Sequence, residues 1–312
     1  MLMDQTLHRL HFHLVFQPQQ WLGALPFAGM KPLDTLLLIT VKPATNRLPG
    51  NRIHLRNGLN FIALSAQQQK MAALAKNGLF TFFYLLKVDA PFGRHTRAGW
   101  GPVVDNRLGW IIMEFTVLLV LFFVVAGSTR SLDGPILVIL GLFIAHYVHR
   151  SLIFPWFLRT RGKKMPVAIV SSAVGFNTVN GFLIGYYFGH FAAYPPDWFS
   201  DIRFTAGALV FALGVALNVQ TDYALIRLRK PGERGYRIPR GGMFEWVSCP
   251  NHLGEILEWT GFAILSWSLP GAVFAFWTFA NLAPRALAHH RWYKQQFAEY
   301  PKGRKALFPA LW

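Results

Sequence analysis

The chain of 312 residues has a single cysteine, Cys249. It can therefore form no intrachain disulfide and no cysteine-based zinc site. Charge is also scarce: Asp, Glu, Lys and Arg make up 14%, against about 25% in an ordinary soluble protein. Acidic residues are the scarcer sign, with 14 Asp and Glu against 31 Lys and Arg, a formal net charge of +17. No internal repeat is present, which excludes solenoids and coiled coils. No G-x-G-x-x-G follows a strand pattern, so a Rossmann site is absent. No compact apolar region with a small-residue cleavage site marks a signal peptide.

What the chain has in quantity is apolar surface. Hydrophobic residues make up 53%, with 28 Phe and 11 Trp, which excludes disorder over most of the length. On a soluble protein the charge of +17 would suggest nucleic-acid binding. On so apolar a chain it indicates a membrane protein with loops basic on one side. The expected partner is a lipid bilayer, with no nucleic acid. No oligomeric partner is legible.

A bilayer crossing needs about 20 mostly apolar residues. Leu108–Gly127 is such a stretch, with Glu114 its one charge. Pro135–His149 carries no Asp, Glu, Lys or Arg, and its pattern continues past Arg150 to Leu158. Met165–Pro196 and Phe204–Thr221 follow. Asn251–Pro284 is too long for one crossing, and Pro270–Gly271 near its middle predicts a tight hairpin. A weaker span, Met71–Val88, is interrupted by Lys76 and Asn77. The expectation is an all-α, polytopic membrane protein of seven transmembrane helices enclosing a cavity. Drawn so, the basic clusters at 87–107, 159–164, 227–240 and 285–305 share one side. The opposite loops hold Arg130 and Arg203 against Asp133, Asp197 and Asp201. That asymmetry makes the basic side cytoplasmic. Residues 1–70 have no clean apolar window and are expected to be a poorly structured extension, leaving 71–312 as the working domain.

Ionisable groups inside a membrane are costly and mark candidate sites. Glu114, His146, Tyr147, His149 and Arg150 lie in two spans. Asn180, Asn218 and Asp222 lie in the next two. Asn251, Glu255 and Glu258 open the sixth, and Arg285, His289, His290, Arg291 and Tyr293 close the seventh. Asn218 and Asp222, Asn251 and Glu255, and Arg285 and His289 are each four apart and share a helix face. These pairs predict a polar cavity in the cytoplasmic half. Gly181 and Gly185 form a G-x-x-x-G read as helix packing. Arg229, Lys230, Arg237 and Arg285 offer forked or cationic donors suited to phosphate. The Asn and carboxylate groups suit ribose hydroxyls or an amide. Residue chemistry alone reaches a membrane enzyme or transporter with an anionic ligand.

Several stretches resemble the membrane steroid 5α-reductase family. They are Asn218-Val-Gln-Thr-Asp222-Tyr223, Leu228-Arg229-Lys230-Pro231-Gly232-Glu233, Gly235-Tyr236-Arg237-Ile238-Pro239 and Asn251-His-Leu-Gly254-Glu255-Ile-Leu-Glu258-Trp259. Further on come Arg285-Ala-Leu-Ala-His289-His290-Arg291-Trp-Tyr293 and Tyr300-Pro-Lys-Gly-Arg304-Lys305-Ala. Upstream, Pro91-Phe92-Gly93-Arg94-His95, Trp110-Ile-Ile-Met-Glu114 and His146-Tyr147-Val-His149-Arg150 match as well. The likeness runs in order through residues 85–312.

The resemblance implies seven helices that hold NADPH on the cytoplasmic side and reduce the Δ4 double bond of a 3-oxo-steroid. It implies Glu114 and Tyr147 as the catalytic pair binding the 3-ketone, and Trp110 as a wall of the steroid pocket. It implies Asn218, Asp222, Arg229, Tyr236, Asn251, Glu255, Arg285, His289 and Tyr293 as the NADPH set. Met113 and His252 depart from the animal pattern, which has Gln and Phe there, and are expected to bear on substrate choice. The 159–164 loop aligns loosely and contributes no expected site residue. In this reading Tyr147 donates to the carbonyl oxygen as charge develops there. A protonated Glu114, the form an apolar site favours, is a second donor. The alternatives are a polyprenol or enoyl-thioester reductase of the same superfamily and a non-catalytic sterol-binding or transport membrane protein. A carrier of the transporter kind would show duplicated halves, and none is present.

Overall fold

The structure, a computed structural model, describes residues 51–91, 93–95, 99–128, 131–159, 162–228 and 235–311, with the backbone alone over 51–64. The chain divides into two compact units, Met1–Arg47 and Leu48–Trp312. The first lies outside the described residues, as does the expectation for residues 1–50.

The second unit is helical. Its helices are α1 (Asn51–Lys87), α2 (Asn106–Ala126), α3 (Gly134–Val148), α4 (Phe154–Phe157), α5 (Val167–His190), α6 (Ile202–Arg227), α7 (Pro250–Ser266) and α8 (Leu269–Gln296). Helix starts are fixed by side-chain caps that satisfy the otherwise orphaned N–H groups. Asp105 accepts from the N–H groups of Arg107 and Leu108, Asp133 from Ile136 and Asp201 from Arg203. The few carboxylates in the loops thus have a structural use.

Strands β1 (Val103–Asp105) and β2 (Lys164–Pro166) pair antiparallel, Val104 opposite Met165. This ribbon sets the first turns of α2 and α5 side by side. The two helices then pack along the glycine pair: a Cβ on Gly181 would lie 2.9 Å from the Val117 carbonyl oxygen. An unanticipated glycine pattern joins α6 to α7. Gly207 and Gly214 face Gly254 and Gly261, and a Cβ on Gly214 would lie 2.2 Å from the Glu258 nitrogen. Backbone meets backbone there, which places Asn218 and Asp222 directly against Asn251. The central core is aromatic: Phe143, Trp259, Phe262, Phe188 and Phe274 are buried together.

Two expectations change. The break in the last hairpin falls at Trp267–Ser268, not Pro270–Gly271; Trp267 takes a left-handed conformation at φ 41°, and Pro270 sits in the first turn of α8. Proline fits there because that N–H has no helical partner. Residues 51–70, expected to be poorly structured, are helical and continuous with 71–87. Gln67 is buried and donates to the Leu183 carbonyl at 3.1 Å, so a polar residue here packs within the protein and leaves no apolar signature.

Among the described residues four helical stretches are long and apolar enough to cross a membrane: Asn106–Ala126, Gly134–Phe157, Val167–His190 and Ile202–Arg227. The expected seven is therefore not reached on length and composition. Helix α7 has only 17 residues and opens with Asn251, His252 and Glu255. The second half of α8 is polar, and Lys70 and Lys76 interrupt α1.

Candidate active site

Between α3 and α4 the backbone makes one π turn, His149–Ile153, a feature that often marks functional sites. From it Arg150 is buried and reaches two helices. Its Nη1 donates to Asp222 Oδ2 at 2.9 Å, and its Nη2 lies 3.8 Å from Glu255 Oε2. Asn251 Nδ2 donates to the other Asp222 oxygen at 2.9 Å, and Asn218 Nδ2 donates to the Asn251 carbonyl at 3.0 Å. Expected residues from α6 and α7 are thus one network centred on an arginine outside the expected set. The Arg150 guanidinium also lies over Trp110, 4.9 Å from the ring centre.

Tyr147, 4% exposed, packs against Phe143 and Trp259 with ring centres 4.8 and 5.8 Å away. Glu114 on α2 is near enough to act electrostatically on Tyr147 and Arg150. Among the hydrogen bonds of the described residues none joins Glu114 to Tyr147; the side chain that hydrogen-bonds Tyr147 is Asn180. Met113 is buried with Met165 and Val170.

A second group lies on the α8 side. Arg285 and His289 line a pocket with Ala90, His95 and Ala288. His289 Nδ1 is 3.0 Å from His95 Nε2, and the rings stack 5.0 Å apart. Arg94 lies over Tyr236, Trp292 and Tyr293, 4.5 Å from the last ring centre. Lys163 Nζ donates to the Tyr236 hydroxyl at 3.3 Å. Burial holds His95 below its ordinary value of 6.5, with Arg94, Arg285 and Arg291 adding to the effect and Asp89 opposing it. Glu255 acts electrostatically on both Arg150 and Arg285, so it connects the two groups.

Of the expected set, only Arg229 lies outside the described residues. Arg94, His95 and Lys163 join the set. The first two stand in a stretch whose pattern was legible, without a role; Lys163 stands in the loosely matching loop. Among the described residues no three His, Cys, Asp or Glu side chains could hold a metal ion. Arg94 Nη1 and His252 Nδ1 are buried without a hydrogen-bond partner. Buried polar groups are rarely left so, and a cationic donor beside Arg285 and Tyr293 suits an anionic, polar ligand.

A family model described as 3-oxo-5-alpha-steroid 4-dehydrogenase matches residues 163–312. A 3-oxo-5-alpha-steroid 4-dehydrogenase 1 of Macaca fascicularis is 41% identical over 254 residues, 80% of this chain and 96% of the relative. A 3-oxo-5-alpha-steroid 4-dehydrogenase 2 of Sus scrofa is 46% identical over 243 residues, 77% and 94%. The chain belongs to the 3-oxo-5-alpha-steroid 4-dehydrogenase family. A steroid 5-alpha-reductase of Gossypium hirsutum, 39% identical over 240 residues, extends the likeness to plants. Membership makes the protein an oxidoreductase acting on a CH–CH group, and with its four apolar helices it is a membrane protein. For this 3-oxo-5-alpha-steroid 4-dehydrogenase family member, the Tyr147 and Arg285 groups are the two halves of the candidate site.

Proposed function

We propose that the protein reduces the Δ4 double bond of 3-oxo-steroids with NADPH, giving 5α-reduced 3-oxo-steroids. The observation carrying this reading is the division of the site. One half is a buried hydroxyl, Tyr147, in an aromatic wall; the other is a cationic and amide-rich surface joined to it through Glu255. The first suits a flat apolar ketone and the second a dinucleotide phosphate.

NADPH, when bound, supplies hydride to C5 of the enone, the β-carbon. Tyr147 donates a hydrogen bond to the 3-oxo oxygen, where negative charge develops, and protonated Glu114 is the second donor. Trp110 and Trp259 exclude water from the ring. The proton added at C4 comes from water. Arg229, Arg285 and Tyr236 hold phosphate, with Arg94 supplying a further cation. Asn218, Asp222, Asn251, Glu255, His289 and Tyr293 complete the cofactor surface. Tyr236, against Lys163 and Trp292, borders this surface; residues 229–234 lie outside the described residues. The helices α1, α2, α3, α5, α6, α7 and α8 make seven crossings, with the cofactor side cytoplasmic.

Purified protein should oxidise NADPH in equal amount to the Δ4-3-ketosteroid consumed. Oxidation with an enoyl thioester or a polyprenol and none with the steroid would overturn the substrate and favour another superfamily member.

A further inference from the structure

Two ionisable residues beside Tyr147 have no part in the reaction above. His146 Nδ1 meets Glu258 Oε1 at 2.5 Å, with side chains only 7% and 1% exposed. The contact crosses from α3 to α7 and lies against the reacting group. The His146 ring is 5.0 Å from that of Tyr147 and 4.6 Å from that of Trp259, and Trp259 also packs on Tyr147. A buried pair of this kind contributes little net stability, because desolvation offsets the attraction. Its presence calls for another account.

The account lies in the local backbone. Tyr147 stands two residues before the π turn, where the regular helical ladder is interrupted. The extra residue of that turn sets which way the side chains of 146–150 face. Two side-chain rungs tie this stretch to α7. His146 reaches Glu258, and Arg150 reaches Glu255. Residues 146 and 150 are one turn apart on one helix, and 255 and 258 one turn apart on the other. Tyr147 lies between the two rung residues in sequence.

We infer that the His146–Glu258 hydrogen bond is a positioning device that holds the Tyr147 ring in place against Trp259. The inference rests on the reading of Tyr147 as the ketone donor. Misplacing a reacting group by about 1 Å can cost about 100-fold in rate, so loss of one rung should lower turnover without touching cofactor contacts.

The test is a double-mutant cycle on the full chain, with NADPH binding followed by cofactor fluorescence and turnover on a Δ4-3-ketosteroid. Glu258→Leu and His146→Leu should each lower kcat by roughly 10- to 100-fold with NADPH affinity unchanged. Combined with Tyr147→Phe, neither should lower kcat further, because a positioning residue acts only through the group it positions. Glu258→Gln, which keeps an acceptor oxygen for the His146 N–H, should recover most of the rate. If Glu258→Leu does not fold, His146→Leu is read in the same cycle. Wild-type kcat in the leucine variants, or losses that add fully to that of Tyr147→Phe, would overturn the inference. Wild-type turnover in Tyr147→Phe alone would instead overturn the donor assignment.

Discussion

Arg150 Nη1 donates to Asp222 Oδ2 at 2.9 Å with both side chains largely buried, and this bond ties the π turn after α3 to the polar end of α6. Asp222 accepts from Asn251 with its other oxygen. Removing the arginine would leave Asp222 without its ion-pair partner and take from Glu255 one of its two cations, Arg285 remaining. Truncation of one partner of a buried pair costs about 3–5 kcal/mol. Arg150→Met should accordingly lower the unfolding midpoint in detergent sharply, and Asp222→Asn in the same chain should recover part of the loss. An unchanged midpoint in Arg150→Met would show that the network contributes no stability.

Tyr147→Phe removes one donor and almost no volume. Loss of a comparable donor costs about 10²–10³ in rate. Turnover should fall by that factor while NADPH binding, read by fluorescence, persists. Equal loss of binding and turnover would place Tyr147 in the cofactor surface.

The α6–α7 contact gives a contrast between two glycines. Gly214→Ala would place a methyl 2.2 Å from the Glu258 nitrogen, and overpacking of this kind costs about 1–3 kcal/mol. It should also weaken NADPH binding by separating Asn218 and Asp222 from Asn251. Gly141 in α3 has nothing within 4 Å, so Gly141→Ala should be neutral or stabilise by about 0.5–1 kcal/mol. Thermal unfolding of the two variants, with NADPH titration, distinguishes them.

His95 is held below its ordinary 6.5 by burial and by Arg94, Arg285 and Arg291. The folded state therefore favours the neutral ring, and the unfolded chain binds more protons near that value. Stability from this group is full above pH 6.5 and declines as the pH falls toward the lower folded value. The unfolding midpoint should drop between pH 7 and 5 less in His95→Gln than in the native chain. An identical slope in both would assign the drop to other groups.

The extension can be tested by truncation. A chain starting at Asn51 keeps all of α1 and every candidate site residue and should retain NADPH-dependent reduction. A chain starting at Met71 loses the Gln67 bond to Leu183 and should be less stable. Inactivity of the first chain, when folded and binding NADPH, would show that residues 1–50 contribute to catalysis.

Much of this was legible from residue patterns. Long apolar runs, with Glu114 the one charge in α2, marked α2, α3, α5 and α6 because lipid-facing helices need apolar side chains over most of their length. Asn218, Asp222, Asn251 and Glu255 stood out because polar groups are costly there. What was not legible depends on contact between distant segments. The extension of α1 before Met71 carries polar residues such as Gln67, which bonds Leu183 within the protein. The close approach of α6 and α7 rests on glycines seven residues apart on two helices, and neither spacing signals its partner. Arg150 stood among the polar candidates, yet its central place appears only when the π turn directs it toward α6 and α7. His95 and Arg94 join the site from the segment after α1, which has no helical periodicity to orient them.

Isotope transfer tests the central claim most directly. Purified protein is given a Δ4-3-ketosteroid and NADPH carrying deuterium at both C4 positions of the dihydronicotinamide, in unlabelled water. The account predicts one deuterium at C5 of the 5α-reduced product for each cofactor oxidised, with C4 receiving its hydrogen from solvent. Cofactor oxidation with no deuterium at C5, or a product reduced elsewhere in the ring system, would contradict it.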